Sequence, residues 1–202
     1  MISLNSMAKK IAFILVQREI VQNENLEIYK FGFELLLATA LNGLIVLAAS
    51  IVMNVFWQSL LLLIPFMLIR SNAGGFHANS HVSCMIIFLT VYIAGVQIVK
   101  HLPFHITIGT SYVSVVVATA IILMIGALPH ENRPVSATEV KMYKRKARFL
   151  SMILLFVGLT GQYLAPRWFA YYSLGLVIAA GSLLVGYLIK NVSERRSEHD
   201  CG

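Results

Sequence analysis

Six runs of apolar residues constrain this chain more than any other feature, because five of them are near or above the shortest length that crosses a membrane as a helix. Over the whole chain of 202 residues, 58% are hydrophobic and only 12% are charged. So little polar surface cannot cover a globule that faces water on all sides. A full helical span needs about 20 residues, with about 17 as a lower limit. The runs are 31–56, 57–69, 84–99, 106–128, 149–165 and 169–189.

These runs predict an all-α integral membrane protein that forms a single membrane-embedded domain over residues 1–202. Two runs, 84–99 and 149–165, are marginal in length. The run 57–69 contains Pro65 and is too short to cross a full-thickness core alone. One or two of the six segments are therefore expected to be re-entrant or to lie in thinned bilayer.

The two ends of the chain differ from the apolar runs. Near the N-terminus, four apolar residues recur at helical spacing, which predicts an amphipathic helix lying on the membrane. Residues 1–27 are therefore expected to form this interfacial helix and a polar linker, and residues 191–202 a polar cytoplasmic tail. The four residues are Met7, Ile11, Ile14 and Leu15.

The net charge of +7 is placed at the ends of the apolar runs. Basic residues there determine topology and contact anionic lipid, so no nucleic-acid partner is predicted. If all six runs cross and the N-terminus is inside, fourteen of the sixteen Lys and Arg residues face the cytoplasm. Only Lys100 and Arg167 then lie outside. Both termini and the stretch 70–83 are thus expected on the cytoplasmic side.

A polar, flexible stretch with chemistry-bearing side chains separates the second and third runs. Its Gly74-Gly75 pair permits backbone angles closed to other residues, or close approach of another segment. A helix is expected to begin at about His81, with a polar residue before it as the cap. Cys84 would then lie in the first turn, where unpaired N–H groups and the helix dipole favour a thiolate. Such a thiolate is a nucleophile for covalent catalysis.

Two histidines precede Cys84 closely enough to accept its proton. In a continuous helix His77 would lie about 10 Å away along the axis, so the chain must break between them. His81 is a neighbour on any helix there, and spacing alone favours it slightly. Alternatively, the three side chains ligate zinc in a non-enzymatic transporter or assembly subunit. The cysteine also fits as a small apolar filler.

Two charged residues next to the apolar runs are candidates for supporting roles. Glu34 lies inside the first run, where a carboxylate is costly and by default functional. It is expected to orient His77, to pair with Arg70 or to lie at the interface. Arg70 is expected to hold a substrate carboxylate or stabilise an oxyanion, with a topology anchor as the plain alternative.

Arg70, the tetrapeptide Gly75-Phe76-His77-Ala78 and Cys84 resemble the signature of the accessory gene regulator protein B (AgrB) family. The chain length, the helical layout, the stretch 29–34 and the basic loop 141–148 are similar too. The resemblance implies a membrane cysteine endopeptidase with Cys84 as nucleophile. It also implies His77, rather than His81, as the histidine and Gly75 as a supporting residue.

The family resemblance implies further that the substrate is a short precursor peptide like AgrD, cleaved at the cytoplasmic face of a Gram-positive bacterial membrane. The retained part forms an acyl-thioester, which an internal Cys or Ser captures to give a thiolactone or lactone for quorum sensing. No cofactor or metal is required. Small residues at 179–181 would allow the close helix packing of a homodimer. Substrate binding, or lipid contact, is expected at Arg70, Lys144, Arg145 and Lys146.

Overall fold

The computed structural model describes residues 4–18, 22, 26–74, 81–128 and 137–200, and over these residues the chain forms seven helices and no strand. Within that part of the chain, six helices, α2 to α7, are long and apolar enough to cross a membrane. The predicted all-α membrane fold is therefore confirmed. The helices are α1 Leu4–Gln17, α2 Leu26–Val52, α3 Phe56–Ala73, α4 His81–His101, α5 Phe104–Ile125, α6 Ala137–Leu164 and α7 Pro166–Asp200.

The chain divides into two compact units, Met1–Asn54 and Val55–Gly202, and the first contains α1 and α2. Ala8 and Ala12 of α1 are fully buried where α1 packs on α2. Large apolar side chains of α1, among them Phe13, stay exposed. This distribution is what an amphipathic helix at a membrane surface requires.

The second unit contains α3 to α7, which run alternately in opposite directions. The most extensive packing joins α3 and α5 to α7, whose Leu176 and Leu183 are fully buried. At Gly175 the backbone of α7 meets the carbonyl oxygen of Leu62 on α3 so closely that a Cβ atom would overlap with it. Small residues allow such close approach between membrane helices.

Helix α3 is longer than the apolar run from which it was predicted. The run ends at Ile69, but the helix continues to Ala73. The side chains of Ser71 and Asn72 stabilise this extra turn by donating hydrogen bonds to the Leu68 carbonyl at 3.1 and 2.8 Å. The 18 residues form one uninterrupted helix through Pro65, about 27 Å long against a hydrocarbon core of about 30 Å. The prediction that a loop starts at Arg70 was wrong, since Arg70 lies in the last turn.

Two further helix boundaries differ from the prediction. The basic stretch 141–148, interpreted as a loop, lies within the first four turns of α6. Residues 191–200 of the predicted tail continue α7 as helix. Neither stretch contains Gly or Pro, which would end a helix, and 141–148 consists mostly of the good helix formers Lys, Arg and Ala. The predicted helix boundaries follow the ends of the apolar runs, whereas both helices extend into the charged stretches.

Candidate functional site

Helix α4 begins at His81, as predicted, and carries Cys84 in its first turn. The Cys84 side chain is half-buried. The first backbone N–H groups of a helix have no intrahelical partner, and the aligned peptide dipoles make this end positive. The sulfur therefore lies where the helix itself favours an anion.

The guanidinium of Arg70 connects Cys84 to two other helices. Its Nη2 donates a hydrogen bond to Cys84 Sγ at 3.9 Å. Its Nη1 donates to Ser182 Oγ on α7 at 3.4 Å. The Ser182 hydroxyl donates in turn to the Ala179 carbonyl at 2.9 Å. The arginine on α3 thus holds the start of α4 and the middle of α7 at one point.

Aromatic contacts fix α3 against α4 one turn deeper in the unit. The rings of Phe66 and Phe88 stack with centroids 4.5 Å apart and planes at 27°. The Arg70 Cζ atom lies 5.9 Å from the centroid of the Phe66 ring, within the range of a cation–π interaction. Still deeper, the hydroxyls of Ser59 and Tyr92 form a buried hydrogen bond of 2.5 Å. Three successive levels of side-chain contact therefore position the helix that carries the cysteine.

Gly74 ends α3 and has the special backbone that the sequence predicted for the glycine pair. Its φ is 75°, a left-handed conformation that L side chains rarely adopt. A Cβ atom at this position would lie 2.9 Å from the Leu128 carbonyl oxygen. The Leu128 N–H donates to the Ala73 carbonyl at 2.9 Å, which ties the end of α3 to the segment after α5. The prediction is confirmed for Gly74.

Several predicted site residues lie outside the described residues. These are Gly75, His77 and the side chain of His81, although the His81 backbone opens α4. The choice between the two histidines therefore stays a prediction. Within the part of the chain that the structure describes, no three His, Cys, Asp or Glu residues gather as a metal site. Because both histidines of the zinc alternative fall outside that part, that alternative is untested.

Glu34 is half-buried on α2, in the first unit. Its Oε2 accepts a hydrogen bond from Asn5 Nδ2 of α1 at 3.2 Å, so the carboxylate helps to hold the amphipathic helix on α2. Its predicted part in the cysteine site stays a prediction. A second acidic residue of α2, Glu27, forms an ion pair of 3.0 Å with Lys30.

The basic residues of α6 lie beside a groove of about 540 Å³ at the C-terminal end of α5. Four cationic and three apolar side chains line it. Two predicted substrate-binding residues, Lys144 and Arg145, are among the cationic ones, whereas Lys146 does not line it. We call this the basic groove; it is lined by Lys141, Lys144, Arg145, Arg148, Leu123, Phe149 and Met152.

Ser182 was not predicted from the sequence. The only signal is that it is the one serine or threonine between Ser173 and Ser193, in an otherwise apolar helix. Its neighbours Ala179 and Ala180, considered for a dimer interface, are buried inside the unit. Gly181 is exposed and has no neighbouring atom within 4 Å of a Cβ position. The predicted homodimer stays untested.

Comparison with known proteins places the chain in a family. Residues 8–189 match the family model described as Accessory gene regulator B. The chain belongs to this family. The accessory gene regulator protein B of Staphylococcus aureus strain bovine RF122 / ET3-1 is 25% identical over 156 residues, which are 77% of this chain and 80% of that protein. Its counterpart in strain MW2 is 25% identical over 161 residues, or 80% and 83%.

No solved structure matches the chain. The resemblance to the accessory gene regulator B family is confirmed by the match over residues 8–189. With the six apolar helices of the described residues, the chain is a multi-pass membrane member of this family.

Proposed function

We propose that this accessory gene regulator B chain is a membrane cysteine endopeptidase that processes an AgrD-like precursor peptide for quorum sensing. The observation that carries the proposal is the hydrogen bond of 3.9 Å from Arg70 Nη2 to Cys84 Sγ, in the first turn of α4. A cysteine that only fills space needs no guanidinium at its sulfur. A nucleophilic thiolate does profit from one, because a nearby cation stabilises the anion.

In the first step the Cys84 thiolate attacks the carbonyl carbon of the scissile peptide bond. The oxyanion then forms beside Arg70, whose N–H groups can stabilise it. His77 takes the thiol proton and passes it to the departing amine. The C–N bond breaks, the C-terminal tail of the precursor leaves, and the remaining peptide is bound to Cys84 as a thioester.

In the second step an internal Cys or Ser of the bound peptide attacks the thioester carbonyl. The new bond closes a thiolactone or lactone ring, the bond to Cys84 breaks, and the proton of the attacking group passes to the Cys84 sulfur, which restores the free thiol. Holding the internal nucleophile near the acyl carbon raises its effective concentration. A water-poor site at the membrane limits competing hydrolysis.

The distribution of charge in the second unit supports a cytoplasmic position for this chemistry and for the C-terminal end of α7. In the second unit Lys100 and Arg167 occupy the end opposite Cys84, where Arg167 Cζ lies 4.9 Å from the centroid of the Phe104 ring. The other basic residues of the described helices of this unit lie toward the Cys84 end. Membrane proteins keep such an excess of Lys and Arg on the cytoplasmic side.

The same charges attract the substrate. We assign Lys144, Arg145 and Lys146 to the field that draws the acidic tail of the precursor toward the cytoplasmic end, since summed surface charge raises the rate of encounter. The bonds of Arg70 to Cys84 and Ser182 favour its role at the oxyanion over that of a clamp on a substrate carboxylate.

Co-expression of the full chain with a short precursor peptide, followed by mass spectrometry of the peptide, tests the function. Cys84→Ala is expected to abolish cleavage, whereas Cys201→Ala, which removes the other cysteine, serves as the matched control and keeps it. A precursor whose internal nucleophile is replaced by Ala is expected to accumulate as a covalent adduct that hydroxylamine releases. Cleavage that persists in Cys84→Ala would refute the proposal.

A further inference from the structure

The basic groove combines positive charge with apolar surface. It is lined by four cationic side chains and by the apolar side chains of Leu123, Phe149 and Met152. Phe149 is 70% exposed and Met152 51%. A soluble anion would contact only the cationic side chains, whereas an amphiphile would contact the cationic and the apolar ones.

Two of the cationic side chains are held in place along the groove. Arg148 Nε donates to the Leu123 carbonyl near the end of α5 at 3.2 Å, which uses one of the five N–H donors of its guanidinium. The Lys144 Cγ atom lies 3.1 Å from the position of a Cβ on Gly126, so the absence of a side chain there admits the lysine stem. The φ of Gly126 is 74°, which also favours glycine. Arg148 and Lys144 are therefore held at the groove by contacts within the protein itself.

The groove also lies at a defined level of α6. Toward the C-terminus of the helix, Phe149, Met152 and Phe156 recur at helical spacing and are all exposed. Toward the N-terminus, the exposed side chains of Lys141, Arg145 and Lys146 are cationic. The change from cationic to apolar surface occurs along the groove, which is where lipid headgroups meet acyl chains beside a membrane helix.

We propose that the basic groove binds one anionic phospholipid, with its phosphate among Lys144, Arg145 and Arg148 and an acyl chain along Phe149, Met152 and Phe156. An acidic peptide would pair with the cationic side chains but leave the apolar ones exposed. A phospholipid would cover both, so it fits the lining of the groove better. This binding does not depend on the peptidase activity.

Native mass spectrometry of the purified full-length protein in detergent tests the proposal, with phosphatidylglycerol and phosphatidylcholine of identical acyl chains as probes. One phosphatidylglycerol is expected to stay bound at concentrations where phosphatidylcholine does not. Inorganic phosphate and glycerol 3-phosphate, which lack acyl chains, are expected not to displace it at equal concentration. Displacement by either would show that only a phosphate is recognised and would overturn the lipid assignment.

Substitutions of the cationic side chains that line the groove test where the lipid binds. Arg148→Gln and Arg145→Gln are each expected to weaken phosphatidylglycerol binding about fivefold. Lys146→Gln is the matched control, because it removes the same charge from the same helix at a position that does not line the groove. An equal loss in Lys146→Gln would mean diffuse attraction and refute the site. Arg145 is exposed, so its variant stays informative even if Arg148→Gln unfolds.

A peptide occupant gives a distinct result. A synthetic acidic peptide could displace bound phosphatidylglycerol at a concentration below the one at which the lipid itself binds. If this displacement also depended on Arg145 and Arg148, it would overturn the proposal in favour of a peptide site. Failure of the lipid to bind leaves the peptidase proposal intact, since cleavage is measured separately.

Discussion

The guanidinium of Arg70 and the sulfur of Cys84 lie 3.9 Å apart although they belong to two different helices, α3 and α4. The same guanidinium is tied to α7 through Ser182 at 3.4 Å. A cation held from two sides cannot turn away from the sulfur without losing its second partner. Its contact with the cysteine is therefore part of the helix packing.

Replacing Arg70 by Gln is expected to slow peptide cleavage about 100-fold, as does loss of an oxyanion donor in other enzymes. Arg70→Lys is expected to be intermediate, because an ammonium is a point charge that lacks the planar fork of the guanidinium. The measurements are single-turnover cleavage and the rate of Cys84 alkylation at constant pH. Arg167→Gln, at the opposite end of the unit, is the control. Unchanged rates in Arg70→Gln would contradict the assigned role.

Ser182→Ala is expected to reduce cleavage about tenfold, because Arg70 loses a hydrogen-bond partner while keeping its charge. Ser173→Ala is the matched control: Ser173 lies on the same helix and donates to the carbonyl three residues earlier, at 2.8 Å. The double variant with Arg70→Gln distinguishes positioning from general destabilisation. If Ser182 acts through Arg70, its substitution has no further effect in that background. Additive losses would exclude the link.

His77→Ala and His81→Ala separate the two candidate bases in front of Cys84. Loss of cleavage in His77→Ala, with activity retained in His81→Ala, is the expected result, since the family motif includes His77. Positioned acid–base groups contribute about 100-fold to 10,000-fold, so the two variants are easily told apart in a cleavage assay. Loss of cleavage in His81→Ala, with activity retained in His77→Ala, would show that His81, the neighbour of Cys84 on α4, is the base. Zinc content measured on the same samples tests the metal alternative.

Gly74→Ala is expected to lower both the free energy of unfolding and the cleavage rate. An alanine at φ 75° and ψ −141° costs about 1–3 kcal/mol, and its Cβ would lie 2.9 Å from the Leu128 carbonyl oxygen. Thermal unfolding in detergent measures the first effect. Gly109→Ala, where a Cβ meets no atom within 4 Å, is expected to leave the melting temperature unchanged or slightly raised. Equal stability of the two variants would mean that the end of α3 tolerates a side chain.

Hydropathy predicted the six spanning helices, and turn chemistry predicted the start of α4 at His81. Both signals are local, so one stretch of sequence is enough to detect them. The end of α3 was missed because Ser71 and Asn72 bond back to the helix, which a reading of polarity as loop does not anticipate. The helical start of α6 was missed for a similar reason.

The partners of Cys84 required the folded chain. Arg70 precedes Cys84 by fourteen positions and Ser182 follows it by almost a hundred, so no spacing rule connects them. Whether Arg70 points to a substrate, to lipid or to the cysteine depends on how α3 packs against α4 and α7. That packing is set by stacked rings such as Phe66 and Phe88, whose pairing no periodicity encodes.

The contact of Gly175 with the Leu62 carbonyl limits how far α3 and α7 can slide past each other. The two helices run in the same direction, and Arg70 and Ser182 follow that contact by eight and seven residues. A slide of one residue would be about 1.5 Å, enough to break the hydrogen bond between them. Tolerance to substitution is therefore uneven over the molecule. A methyl group added at the exposed Gly181 would meet no neighbouring atom, whereas one added at Gly175 would overlap with the Leu62 carbonyl and push α3 and α7 apart.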